Sequence, residues 1–225
     1  MKSLDELSTP SSVQWATSSW FQFVVLLARS TKQQRGDVFN RVNMFQILAV
    51  AVIVAVLWSG SENVRDLSGV LFFVNIQQAF NAQNTVLRLF PTERALMMRE
   101  RRCGSYRMLP YFLAKSCADT VSILVLPVLY ACIIYFSVGL RLEANAFFWY
   151  LAISLTSVFS GQSLGLLLSI LIPDVPLASC VSFVLVLFVM LFGGFYVGVE
   201  RIPFWLQWIK NLSFLYWAYA GMIVN

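Results

Sequence analysis

Long apolar stretches separated by short polar segments dominate the pattern of this 225-residue chain. The clearest stretches reach or approach the roughly 20 residues that a helix needs to cross a bilayer core. Backbone in lipid must satisfy its own hydrogen bonds, so each stretch is predicted to be a helix. The predicted spans are residues 42–58, 67–90, 117–138, 146–172 and 175–199. The pattern therefore predicts an all-α membrane protein with about five spans.

Two flanking segments are predicted to lie at the membrane surface. Residues 12–29 place their apolar side chains broadly on one side, which is typical of an amphipathic helix, and a basic, polar turn region follows at 31–41. Residues 200–225 are rich in Trp and Tyr, which suits an interfacial or re-entrant segment. We therefore divide the chain into an N-terminal segment, 1–41, and a transmembrane domain, 42–225.

Composition and charge exclude several other classes of protein. Hydrophobic residues make up 59% of the chain and charged residues 12%, which leaves too little polar surface for a soluble fold. The net charge of +5 lies beside the apolar spans, which favours contact with lipid headgroups over nucleic acid. The chain has no histidine and no CxxC spacing, so neither catalysis by this chain alone nor a metal site is predicted.

The positive charges also predict an orientation. Twelve of the 16 lysines and arginines precede the first span, lie between the second and third spans or, for Arg88, lie at the end of the second span. By the positive-inside rule, the N-terminus and residues 91–116 are expected in the cytoplasm. Residues 200–225 are then expected on the outer side.

The second span is unusually polar. Gln77, Asn81, Asn84 and Arg88 recur at a helical period and so are predicted to line one face. Hydrogen bonding to another helix would explain this stripe, and so would a wall of a substrate path. The two interpretations are compatible, and the sequence does not choose between them.

Charged residues near the third span carry two further hypotheses. Lys115 and Asp119 are four residues apart, so they could form an ion pair on one helix face. Alternatively, Asp119 could be the intramembrane acid of a proton-coupled transporter. Residues 91–106 mix charges with Leu96 and two methionines, a pattern that indicates a short amphipathic helix able to dock another protein.

Several short motifs, taken in order and spacing, resemble the membrane domain of ABCG half-transporters, the White-type exporters, and especially their plant-like members. The segments that carry the resemblance are Trp20–Arg29, Gly69–Phe73, Phe90–Arg94, Arg99–Arg101, Gly104–Arg107, Tyr111–Lys115, Gly161–Gly165, Gly193–Val197 and Ile202–Ile209. The resemblance implies an ABC-2 type transmembrane domain. It also implies that residues 12–29 are a connecting helix and that residues 92–106 are an intracellular coupling helix.

The resemblance implies a function as well. The chain would be the transmembrane half of an ATP-driven exporter of lipids, sterols or hydrophobic metabolites, working by alternating access as a homo- or heterodimer. The plasma membrane is the expected location, and an organelle membrane is the alternative. ATP and Mg²⁺ are expected on an ATPase domain outside this segment, because the phosphate-binding motif GxxxxGK[ST] does not occur in it. A sixth span is also expected beyond this segment.

Site residues follow from the same resemblance. The substrate cavity is expected to be lined by Ile76, Gln77, Phe80, Phe183, Leu187 and Met190. The outer gate would be formed by Phe195 and Tyr196. The functional residues of the coupling helix would be Glu93, Arg94, Arg99, Glu100, Arg101 and Tyr106.

Two rival functions are consistent with the residues. One is an ATP-independent channel or ion-coupled carrier that uses Asp119 and the polar stripe as its path. The other is a non-transporting, truncated paralogue that at most dimerises with full-length partners.

Overall fold

The structure is a computed structural model that describes residues 17–38, 41–58, 60, 63–102, 106–140, 143–196 and 206–224. Over these residues the chain forms helices and no strand. The helices are α1 (Ser19–Val38), α2 (Arg41–Trp58), α3 (Val64–Arg102), α4 (Met108–Val138), α5 (Ala144–Leu171), α6 (Val175–Leu191), α7 (Gln207–Leu212) and α8 (Phe214–Val224). The fold is therefore all-α, as the hydropathy pattern predicts.

The longest helix, α3, lies at the centre of the bundle. It packs most extensively against α5, and it also contacts α2, α4, α6 and α8. The first helix, α1, packs against α4. A movement of α3 would therefore change its packing against most of the other helices.

Two glycines allow α3 and α5 to approach at backbone distance. A Cβ atom at Gly161 would overlap the carbonyl oxygen of Ala79, and one at Gly165 would overlap that of Gln83. Gly161 and Gly165 form a GxxxG pattern, which brings helices together in membranes because no side chain stands between them. We call this contact, made by Ala79, Gln83, Gly161 and Gly165, the α3–α5 seam.

Apolar side chains fill the remaining helix contacts. One buried cluster joins α2, α3 and α4 and contains Ala51, Val54, Val70, Val74, Tyr130, Ile134 and Val138. A second joins α3, α4, α5 and α8 and contains Leu71, Ala131, Tyr135, Tyr150 and Met222. The C-terminal helix α8 is therefore part of the bundle, since Leu215, Ala218 and Met222 are buried.

Two helices, α4 and α5, are each long and apolar enough to cross a membrane. They contain the predicted span 117–138 and all but the last residue of the predicted span 146–172. The segments Met44–Trp58, Val175–Leu191 and Phe214–Val224 are shorter apolar helices.

The predicted second span, 67–90, and most of the predicted coupling helix, 92–106, lie on one helix, because α3 runs through Pro91 without a break. Proline removes one backbone donor, and this often ends a helix. Here the hydroxyl of Thr92 donates to the carbonyl oxygen of Leu89 at 2.7 Å within the same turn. Residues 64–102 are one helix of 39 residues.

Three other boundaries also differ from the predicted ones. The chain is helical through Val38 rather than forming a turn from residue 31, and α4 begins at Met108, ahead of the predicted span. The helix α6 ends at Leu191 rather than near residue 199. Gly194 explains the early end, since its φ of 87° lies in the left-handed region that favours glycine. The predicted connecting helix begins at residue 12, but residues 12–16 lie outside the described residues.

Candidate functional site

An ion pair joins α1 to the end of α3. Arg29 Nη2 lies 2.5 Å from Glu100 Oε1, and the hydroxyl of Tyr106 donates to Glu100 Oε2 at 2.9 Å. The Glu100 side chain is 19% exposed, whereas that of Arg29 is 51% exposed. Partial burial acts to raise the pKa of Glu100, but the hydrogen bonds from Arg29 and Tyr106 hold it below its ordinary value. Glu100 is therefore a carboxylate at neutral pH.

Hydrogen bonds from Gln22 and Ser19 join α1 to the start of α4. The buried Gln22 side chain accepts a hydrogen bond from the backbone N–H of Arg107 at 3.1 Å, immediately before α4 begins. The Arg107 guanidinium donates to Ser19 Oγ at 2.7 Å. Because the first N–H groups of a helix have no partner within it, Gln22 also caps α4. Sequence patterns did not single out Gln22 for this role.

Lys115 lies between two carboxylates. Its Nζ atom is 2.5 Å from Glu93 Oε1 on α3 and 2.9 Å from Asp119 Oδ1 one turn further along α4. Burial lowers the pKa of Lys115, but the two carboxylates outweigh burial and raise it. The structure therefore brings together the proposed pair, Lys115 and Asp119, and adds Glu93 to it.

Together these contacts define the charged junction, formed by α1, the end of α3 and the start of α4. Its members are Gln22, Arg29, Glu93, Glu100, Tyr106, Arg107, Tyr111, Lys115 and Asp119. Tyr106 and Tyr111 stack at 4.8 Å between ring centroids. Among the other predicted coupling residues, Arg94 is half-buried and Arg99 is exposed, and the side chain of Arg101 lies outside the described residues.

The predicted cavity residues lie on facing parts of α3 and α6. The rings of Phe80 and Phe183 meet edge to face at 6.4 Å between centroids. Ile76 and Phe80 also line a small pocket that reaches α5, α6 and α8. Gln77 and Met190 are half-buried, and Leu187 is exposed. This wall is therefore mainly apolar, with one amide and two aromatic rings.

The predicted outer gate residues have different surroundings. Phe195 stacks on Phe72 at 5.1 Å between ring centroids and also contacts Tyr219. Tyr196 meets Phe72 edge to face at 5.7 Å and is 59% exposed. Phe195 is thus held within its own subunit, whereas Tyr196 presents an exposed surface.

The buried amides of α3 are not those of the predicted stripe. Gln77, Asn81 and Asn84 are half-buried and Arg88 is exposed. Asn75, Gln78 and Gln83 are the buried amides, and Gln78 donates to Ser154 Oγ on α5 at 3.2 Å. The fourth predicted span contains the pattern GxxxG, which needs a neighbouring helix face that accepts close approach. This pattern was the sequence signal for the buried face of α3 toward α5.

Among the described residues, no group of three or more acidic or cysteine side chains could hold a metal ion. Apolar helices, an apolar wall with two facing rings and a charged junction at one end define a multi-pass membrane domain.

The chain matches the family model of the ABC-2 type transporter over residues 21–225. It is 34% identical over 215 residues to ABC transporter G family member 22 of Arabidopsis thaliana, and the matched region covers 93% of this chain and 28% of that protein. It is 33% identical over 214 residues to ABC transporter G family member 14 of the same plant, covering 94% and 33%. Protein white of Ceratitis capitata is 29% identical over 214 residues, covering 92% and 32%.

The chain belongs to the ABC-2 type transporter family. The resemblance to the membrane domain of ABCG half-transporters is confirmed, since both plant G-family members and Protein white are relatives. The chain spans about a third of the length of these relatives. It is therefore comparable to their membrane domain.

Proposed function

We propose that this chain is the transmembrane half of an ATP-driven exporter of amphipathic molecules such as lipids, sterols or hydrophobic metabolites. It works as a dimer, and it alternates between inward-open and outward-open states. ATP and Mg²⁺ are held by an ATPase domain and not by residues of this chain. The residues of this chain bind the substrate and transmit movement.

One observation carries the proposal: a single unbroken helix bears both the cavity ring and the junction carboxylates. Phe80, Glu93 and Glu100 all lie on α3, and 20 residues separate the first from the last. At 1.5 Å per residue this is a lever of about 30 Å. A displacement at the Glu100 end would therefore reach Phe80 without crossing a flexible loop.

The chemistry of the wall supports an amphipathic substrate. Phe80 and Phe183 offer ring faces and edges, Ile76 and Leu187 offer apolar surface, and Gln77 offers one amide. Such a surface binds an apolar body by burial and a polar group by one or two hydrogen bonds. Phe183 is 54% exposed and Leu187 is 38% exposed, so both are accessible for a second subunit or a substrate to cover.

The junction supports an exporter over an ion-coupled carrier. A proton-coupled carrier needs an acid that exchanges its proton during the cycle. Asp119 Oδ1 lies 2.9 Å from Lys115 Nζ, four residues earlier on the same helix. This contact supports a structural ion pair for Asp119 rather than proton exchange.

The test is transport by the full-length product of the natural transcript in inside-out membrane vesicles. The readout is the ATP-dependent uptake of fluorescent phospholipid and sterol probes. We expect Phe80→Ala to lower the initial rate about three- to ten-fold, the effect of losing one aromatic contact. Phe148→Ala is the matched control, because Phe148 on α5 is 65% exposed and is outside the cavity wall.

Three outcomes would count against the proposal. Uptake that persists without ATP would favour a carrier or channel. A Phe80→Ala rate equal to that of the parent, at equal abundance in the membrane, would remove Phe80 from the substrate path. A transcript that encodes no ATPase domain would favour a partner-dependent or inactive protein.

A further inference from the structure

The outward face of α1 is apolar and exposed. Trp20 is 72% exposed and Phe21 59%, and Val24 and Val25 are about half exposed. Their spacing puts all four on one side of the helix. Gln22 and Leu26 on the opposite side are buried at the charged junction. One face of α1 is therefore fixed to the protein, and the other needs a different environment.

The position of α1 indicates what that environment is. Only residues 39 and 40 separate α1 from α2, and α2 contains the apolar segment Met44–Trp58. Around the same end of the bundle, Phe45 on α2 is 76% exposed, and Leu109 and Phe112 on α4 are 69% and 63% exposed. The apolar face of α1 thus continues the lipid-facing surface of its neighbours. This arrangement matches a helix that lies in the bilayer interface.

Basic groups border this apolar face. Lys32 is exposed and lies on the same side of α1 as Phe21 and Val25, and Arg41 is exposed where α2 begins. Arg107, also exposed, is tied to Ser19 at the other end of α1. In contrast, Glu93 and Glu100 face Lys115 and Arg29 inside the junction.

We propose that α1 and the start of α2 form a binding surface for an anionic phospholipid. Trp20, Phe21 and Val24 enter the acyl boundary. Arg107 contacts a negatively charged headgroup at the Ser19 end of α1, and Lys32 and Arg41 contact headgroups near its other end. The described charges that face outward here are basic, which complements an anionic headgroup better than a zwitterionic one. A protein partner on the same face would need an apolar surface at bilayer level, so lipid is the occupant that the position favours.

The test uses the quenching of Trp20 fluorescence by brominated lipids in the full-length natural protein. The protein is reconstituted in phosphatidylcholine nanodiscs that contain either brominated phosphatidylserine or brominated phosphatidylcholine. Subtracting the signal of a Trp20→Phe variant isolates Trp20 from every other tryptophan. We expect tighter association of the serine lipid than of the choline lipid at Trp20.

Charge variants then locate the site. Arg107→Gln should lower the preference for phosphatidylserine at Trp20 about five-fold, as expected for removal of one basic group near the headgroups. Lys32→Gln should lower it less, because Lys32 lies about 18 Å further along α1. Arg65→Gln is the matched control, because Arg65 is exposed at the opposite end of α3. It should leave the preference unchanged, since brominated lipid is present in both leaflets.

Raising the ionic strength provides a second measurement that needs no variant. Screening should weaken the serine preference of the parent protein while leaving quenching by the choline lipid unchanged. Equal association of the two lipids would overturn the proposal. So would the absence of quenching by either lipid, which would show that protein covers this face. Neither result depends on whether the chain exports a substrate.

Discussion

The α3–α5 seam and the charged junction both involve α3, but they are held together by different forces. At the seam, Gly161 and Gly165 bring two helix backbones into direct contact, and no ionised group takes part. At the junction, three carboxylates, an arginine and a lysine join α1, α3 and α4. Side chains at the junction are partly exposed, whereas Ala79 and Gln83 at the seam are buried.

This difference has a physical reason. Apolar helices gain little from association in lipid, because lipid tails are as apolar as the side chains, so close packing must supply the attraction. At the end of the bundle, water reduces the cost of charged groups and weakens their attraction. The seam is therefore suited to hold a fixed geometry, and the junction is suited to contacts that break and form again.

The largest effect is expected at the seam. Gly161→Ala should lower the free energy of unfolding by about 3 kcal/mol, because the added Cβ overlaps the backbone of Ala79. Gly36→Ala is the matched control, because it lies in α1 and a Cβ there has no atom within 4 Å. Alanine favours a helix over glycine, so Gly36→Ala should instead raise stability by up to about 1 kcal/mol.

Unfolding of the purified protein in mixed detergent micelles, followed by circular dichroism, measures both variants. Changes of opposite sign are the expected result. If Gly161→Ala is as stable as the parent, the helices can separate at no cost, and the distinction between the seam and the junction disappears.

The sequence predicted the parts of the fold that depend on apolar length. Spans 42–58 and 146–172 lie within two residues of α2 and α5, because nothing but apolar composition sets their ends. The ends that depend on one backbone position were predicted less well. Helix α3 continues through Pro91, and helix α6 ends before Gly194. Both outcomes depend on local backbone geometry that hydropathy does not measure.

The candidate site shows the same limit. The spacing of Lys115 and Asp119 predicted their ion pair, because four residues on one helix fix the distance. Glu93, 22 residues earlier, was assigned to the coupling helix, and its contact with Lys115 requires the packing of α3 against α4. The buried amides were also missed, since a polar residue in a span does not show which helix it faces.

An intermediate effect is expected from Lys115→Met. The change leaves Glu93 and Asp119 as two neighbouring carboxylates without the lysine that lies 2.5 Å and 2.9 Å from them. We expect a loss of about 2 kcal/mol, most of it the cost of partly buried negative charge. Adding Glu93→Gln and Asp119→Asn to the same protein should recover most of that stability, as measured by the same unfolding experiment. Equal losses in the single and triple variants would mean that Lys115 acts by packing rather than by charge.

The smallest effect is expected at Glu100. It distinguishes the two regions most directly, because protonation of Glu100 removes its ion pair with Arg29. Since the folded pKa of Glu100 is below its ordinary value of 4.5, its ion pair stabilises the fold above that value and is lost as the pH falls through the lowered pKa. Arg29 is half exposed, so the contribution should be under about 1 kcal/mol. In thermal unfolding from neutral pH down to about pH 3, Glu100→Gln should therefore lose slightly less stability than the parent.

The Gly161→Ala penalty should stay constant over the same range, because no ionised group contributes to the seam. If acid changed the Gly161→Ala penalty and left the effect of Glu100→Gln constant, the forces assigned to the two regions would have to be exchanged.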